Sequence, residues 1–148
     1  MCGPSGSGKT TYARGLERHG MVRLSFDVES WHRGVAAADP PAQKLREIEQ
    51  SLRARLLALV GAGRDVVLDF SFSTRAVRDD YRALLRHTGV VPETVFLETD
   101  RATVLARVRA RAGQHADAVM LQPDAAARHY DEFERPTRQE GPLTVVRG

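Results

Sequence analysis

The chain has one cysteine, Cys2, among its 148 residues. A single thiol excludes an internal disulfide and fits a reducing compartment. No apolar run approaches the ~20 residues that span a bilayer. A charged segment followed by an apolar core, the mark of secretion, is missing as well. A cytoplasmic protein with no membrane contact is the expectation. Repeats, low-complexity tracts and linkers are also missing, so residues 1–148 are read as one domain with a single buried core. Lysine is scarce: the 22 basic residues include only Lys9 and Lys44. The net charge is +3 although the pI is about 9.5, and the arginines are dispersed among 19 acidic residues. Dispersed charge is the pattern of a solvated surface more than of a polyanion track, so nucleic acid is a possible partner but not the favoured one. Nothing calls for an obligate protein partner.

What is present is an alternation of two periodicities. A helical stretch from Lys9 to about His19 stops at Gly20, and Val22 to Phe26 reads as a short strand. Leu45, Ile48, Leu52, Leu56 and Leu59 form the apolar stripe of an amphipathic helix, closed by Gly61 and Gly63. Val66, Val67 and Leu68 lie in an unbroken run, Asp65 to Phe70, that suits a strand covered on both faces. Val77, Tyr81 and Leu84 mark the next helix, which Gly89 closes. Thr94 to Leu97 is a strand, and Asp100 caps a helix running to about Arg111. A helix from Asp124 to Glu134 and a strand from Leu143 to Val146 finish the chain. Strands alternating with helices predict a parallel α/β sheet flanked by helices on both sides.

The segment Gly3-Pro4-Ser5-Gly6-Ser7-Gly8-Lys9-Thr10 matches G-x-x-x-x-G-K-[ST] and opens a helix. Glycines let the backbone curl until its N–H groups converge on phosphate oxygens. The helix that follows adds its positive end. Lys9 is expected to reach the β- and γ-phosphates, the Thr10 hydroxyl to ligate Mg²⁺, and Thr11 to complete the nucleotide cradle. From the frequencies of Gly, Lys, Ser and Thr in this chain, chance produces such a match in about one of a thousand chains of this length. One of only two lysines stands where a compact ammonium is wanted.

A P-loop hangs from a buried strand, yet only Met1 and Cys2 precede Gly3. The first strand is therefore nearly absent, and Cys2 reads as an apolar filler at its end. The slot is expected between the strands at Val66 and Val95. Two residues do not fill a place meant for five or six, which predicts that Met1 is an internal methionine of a longer natural product.

Phosphoryl transfer also needs a group to orient and deprotonate the acceptor hydroxyl, and cations for the transferred charge. Asp27 lies just past a strand, at the sheet edge where α/β proteins hold ligands. It is read as a base or as the N-cap of a helix starting near Val28. Glu29 and Arg33 are candidates for lining the acceptor pocket, or are solvated. Asp69 ends the most apolar strand, where a carboxylate needs a metal or an arginine. Arg107 and Arg111, four apart, share a helix face. Two guanidiniums there call for an anion between them, and Gly113 offers a hinge for a flap.

The P-loop followed by "RLSFDVESW", "DVVLDFSFS", "VLARVRARAG" and "YDEFERP" resembles the small kinases related to zeta toxin, chloramphenicol phosphotransferase and the 5′-kinase domain of polynucleotide kinase. The resemblance covers essentially the whole chain and implies a three-layer P-loop NTPase fold with ATP and Mg²⁺ as cofactors. By the same resemblance Asp27 is the general base, Arg107 and Arg111 belong to a lid over the ATP phosphates, and Asp69 is the strand-end aspartate. Several relatives carry an arginine three residues after the base, where this chain has Ser30. An acceptor bearing its own phosphate is then handled differently, which argues against a nucleic-acid 5′-end. No Asn-Lys-x-Asp segment marks a GTPase. The expectation is an ATP-dependent kinase acting on a hydroxyl of a small molecule; the alternatives are a nucleic-acid 5′-hydroxyl kinase and an ATP-binding regulatory module without transfer.

Overall fold

The computed structural model describes residues 1–35, 41–110 and 123–147. Helix α1 (Lys9–Arg18) follows the glycine loop, then β1 (Val22–Ser25), α2 (Phe26–His32), α3 (Ala42–Gly61), β2 (Val66–Asp69) and α4 (Arg75–Leu85). The second half holds β3 (Thr94–Glu98), α5 (Arg101–Ala110), α6 (Pro123–Asp131) and β4 (Leu143–Arg147). β1 runs parallel to β2, with Val22 opposite Val66 and Ser25 opposite Asp69. β3 runs parallel to β4, with Thr94 opposite Leu143.

Met1 and Cys2 join these two pairs. The Met1 ammonium donates to the Leu68 carbonyl at 2.8 Å. On the other side, Cys2 N–H donates to the Val95 carbonyl at 2.8 Å, and Leu97 N–H donates to the Cys2 carbonyl at 2.9 Å. This is the slot expected between the strands at Val66 and Val95, and these residues make one bridge, to Phe96, in place of a ladder. Cys2 is fully buried and its thiol donates to the Phe72 carbonyl at 3.5 Å. Burial raises the pKa of this thiol, which keeps it protonated and unreactive, as a filler should be.

The strands are covered on both sides, as the apolar run predicted. On one face, Val66 and Leu68 pack with Leu24, with Ile48, Leu52 and Leu56 of α3, and with Tyr81 and Leu85 of α4. On the other, Val67 and Leu97 pack with Ala13, Tyr12 and Leu16 of α1. Helices on both faces of parallel strands make the three-layer α/β architecture. Each fully buried aliphatic such as Ile48 contributes about 1.5–3 kcal/mol.

Several local expectations shift. β1 ends at Ser25, because Ser25 caps α2 and Phe26 already belongs to the helix. α6 runs from Pro123 to Asp131 where Asp124 to Glu134 was expected. On α4, Val77 is exposed, while Arg78 joins Tyr81 and Leu85 on the buried side. An arginine enters the core there because each of its three guanidinium nitrogens has a partner. Its Nε and Nη2 clamp the two carboxylate oxygens of Glu140 at 2.7 and 3.0 Å. Its Nη1 donates to the Phe72 and Glu134 carbonyls, both at 2.9 Å. Among the described residues, no helix is long and apolar enough to cross a membrane.

Candidate active site

Three glycines shape the loop between Cys2 and α1. Gly3, Gly6 and Gly8 have φ of +149°, +88° and +97°, a region other residues rarely adopt. Space is as restrictive as conformation at the first two. A Cβ on Gly3 would stand 2.6 Å from Ser7 Oγ, and one on Gly6 would stand 2.8 Å from the Val104 carbonyl oxygen of α5. The loop is thus pressed onto the end of β3 and onto α5. Thr99, just after β3, pins it further: its buried hydroxyl donates to the Ser7 carbonyl at 3.2 Å. Tyr130 of α6 donates in turn to the Thr99 carbonyl at 3.1 Å.

The loop presents donors. Among the described residues, no carbonyl accepts from the backbone N–H of Gly6, Gly8, Thr10 or Thr11. N–H groups left open at the start of a helix call for an anion or water. Lys9 arches back over the loop, and its Nζ donates to the Gly3 and Pro4 carbonyls at 2.8 and 2.9 Å. Pro4 is buried and Ser5 half-buried. Arg107 of α5 joins this group, since a Cβ on Gly8 would lie 3.9 Å from its Nη1. Arg109 is exposed, as a residue two positions along a helix should be. Arg111, Gly113 and the stretch from Gln114 to Met120 lie outside the described residues.

Asp69 has the arginine partner that one of its two readings called for. Its side chain is 2% exposed, and Arg23 Nη1 donates to Oδ2 at 2.8 Å. The Thr10 hydroxyl donates to Oδ1 at 3.3 Å. Asp69 ends β2 beside Ser25 in register, and Asp27 follows two residues past β1. The P-loop, Asp69 and Asp27 therefore share the carboxyl edge of the strands. Asp27 is not a cap. The Ser25 hydroxyl takes that role by accepting from Val28 N–H at 3.4 Å, which leaves Asp27 in the first turn of α2, half-buried and engaged with its neighbours. Glu29 and Arg33 pair with each other at 2.7 Å, and Arg33 donates to Ser51 of α3 at 2.8 Å. They tie α2 to α3.

A family model described as an AAA domain matches residues 1–136. The chain belongs to that family. Solved structures share the fold of this AAA domain. A sugar kinase from Janibacter sp. HTCC2649 superimposes with a TM-score of 0.71 at 21% identity, over 99% of this chain and 82% of that one. A gluconokinase from Sinorhizobium meliloti 1021 does so with a TM-score of 0.61 at 21% identity, over 99% and 79%. No curated protein sequence matches. The fold is the expected P-loop NTPase fold.

Sequence reasoning missed Arg23, Thr99 and Tyr130 in this AAA domain. Arg23 had a signal, a cation set inside an apolar strand. Thr99 and Tyr130 had none, because each acts through a carbonyl that only the tertiary structure brings near.

Proposed function

We propose that this protein is a kinase that transfers the γ-phosphoryl group of ATP to a hydroxyl of a small molecule. The observation that carries the reading is the complete donor loop with Lys9 across it, on the same strand edge as two carboxylates. The backbone N–H groups and Lys9 Nζ bind the nucleotide phosphates, with Lys9 exchanging its two loop carbonyls for phosphate oxygens. Asp27 takes the proton of the acceptor hydroxyl as its oxygen attacks the γ-phosphorus, and the bond to the ADP oxygen breaks. Arg107, beside Gly8, faces the charge that gathers on the transferred group.

Thr10 and Asp69 fit Mg²⁺. They offer hard oxygen ligands at the loop, and such an ion takes one or two protein ligands and completes its shell with phosphate and water. When bound, the ion supplies charge neutralisation at the phosphates. Arg23 orients Asp69 for that duty through its 2.8 Å bond to Oδ2. The sugar kinase and the gluconokinase of similar fold support a hydroxylated small molecule as acceptor.

The test is ATP-dependent mass gain of one phosphate across a panel of hydroxylated metabolites, with Asp27→Asn alongside. This change keeps shape and removes the base. ATP affinity should hold while transfer falls about 10²- to 10⁴-fold. Collapse of ATP affinity instead would make Asp27 a structural residue or a metal ligand, and ADP release with no phosphorylated acceptor would leave an ATPase module in place of a kinase.

A further inference from the structure

The acceptor side of the molecule carries a feature outside the phosphate machinery. Trp31 is the chain's one tryptophan and is 54% exposed. It stands on α2 four residues after Asp27, so the two side chains lie about 40° apart around the helix, on one face. The other face of α2 is already used. Glu29 and Arg33 lie about 160° round, paired with each other and bonded to Ser51 of α3. Docking α2 on α3 through that pair turns Asp27 and Trp31 away from α3.

Among the described residues, the two arginines that flank α2 in sequence are engaged. Arg33 is tied to Glu29 and Arg23 to Asp69 and Glu17. Neither is left to meet a carboxylate or phosphate on the acceptor. An indole face prefers the flat C–H side of a ring, where it removes apolar surface from water and meets weakly positive hydrogens with its electron-rich plane. With Cβ atoms about 5–6 Å apart, the indole and the carboxylate flank the span of a single six-membered ring.

Resting on the kinase reading, we propose that Trp31 is the platform on which the acceptor lies, and that the acceptor is an uncharged cyclic sugar. Its ring covers the indole and one ring hydroxyl reaches Asp27. Open-chain polyols and aldonates lack the flat face, and the aldonates carry a charge that neither Arg23 nor Arg33 is left to receive.

The single tryptophan makes the test direct, because all tryptophan emission comes from Trp31. Methyl pyranosides are titrated into the protein holding a non-hydrolysable ATP analogue, in parallel with the matching alditols and aldonates, and transfer from ATP is measured for each. At least one pyranoside should change the emission saturably and accept phosphate, with a KM at least about tenfold below that of its open-chain counterparts. Trp31→Ala should raise that KM about tenfold, equivalent to about 1.4 kcal/mol, with kcat changed less than threefold. Trp31→Phe should restore most of it, and the unfolding midpoint of both variants should match the wild type because the residue is exposed. Turnover of a pyranoside without an emission change, an alditol or aldonate as the better acceptor, or an unchanged KM in Trp31→Ala overturns the proposal while the kinase reading survives. Failure to bind the ATP analogue, measured by calorimetry, overturns both.

Discussion

Replacing Arg78 by methionine tests whether a buried ion pair holds α4 to the segment before β4. Arg78 is 3% exposed and its partner Glu140 is 2% exposed. Removal leaves Glu140 with Arg82 at 3.4 Å and the Thr137 N–H at 3.1 Å, and leaves the Phe72 and Glu134 carbonyls without their shared donor. Breaking one side of a buried pair costs about 3–5 kcal/mol. The pKa of Glu140 gives a second measure. Its bond to Arg78 is the main cause of a fall from 4.5 to about 2, a shift that corresponds to roughly 3 kcal/mol. The two figures agree, and 3–5 kcal/mol is a large share of the about 5–15 kcal/mol that stabilises a domain. The midpoint should fall by about 6–20 °C.

The sign with pH follows from the depressed value. The contribution of Glu140 is present in full above pH 4.5 and is lost as the pH drops towards about 2, where the carboxylate is protonated in the folded state too. Urea unfolding of the wild type and Arg78→Met should therefore differ most at neutral pH, with a gap that closes in acid. Adding Glu140→Leu to Arg78→Met should recover stability, because it removes the stranded charge. A difference under about 1 kcal/mol at pH 7, or one that does not shrink in acid, refutes the argument.

Lys9→Ala should abolish transfer and weaken ATP binding, measured by calorimetry; near-normal turnover would defeat the kinase reading. Gly6→Ala places a methyl 2.8 Å from the Val104 carbonyl at a φ of +88°, so the loop must shift, and nucleotide affinity should drop more than about tenfold. Arg107→Ala should lower kcat more than ATP affinity, since charge on the transferred group is greatest during the reaction. Equal loss of both would assign it to ground-state binding.

The P-loop was legible because its demands are local. Positive φ at Gly3, Gly6 and Gly8 and a lysine at the head of a helix are properties of consecutive residues, and no distant partner is needed to recognise them. The Leu45 to Leu59 stripe was legible for the same reason, since period 3.6 belongs to the backbone, and the central strand showed as a short unbroken apolar run. Asp100 as the cap of α5 is another local case, with its Oδ1 accepting from Thr103 N–H at 2.9 Å. Ser25, two residues before Asp27, was the less visible cap, because the helix begins earlier than its apolar pattern.

What the tertiary structure decided is which polar groups meet. Asp69 bonds Thr10 across 59 residues and Arg23 across 46, and sequence alone left metal and arginine as competing accounts of one carboxylate. Arg78 was invisible as a core residue because its burial depends on Glu140, which is 62 positions away, and on two carbonyls brought in by other loops. Glu29 and Arg33 became a tie between helices, which gave the opposite face to Asp27 and Trp31. A charged side chain changes its role with the partner it finds, and the partner is chosen by packing and strand register between distant segments. The local pattern holds no record of either.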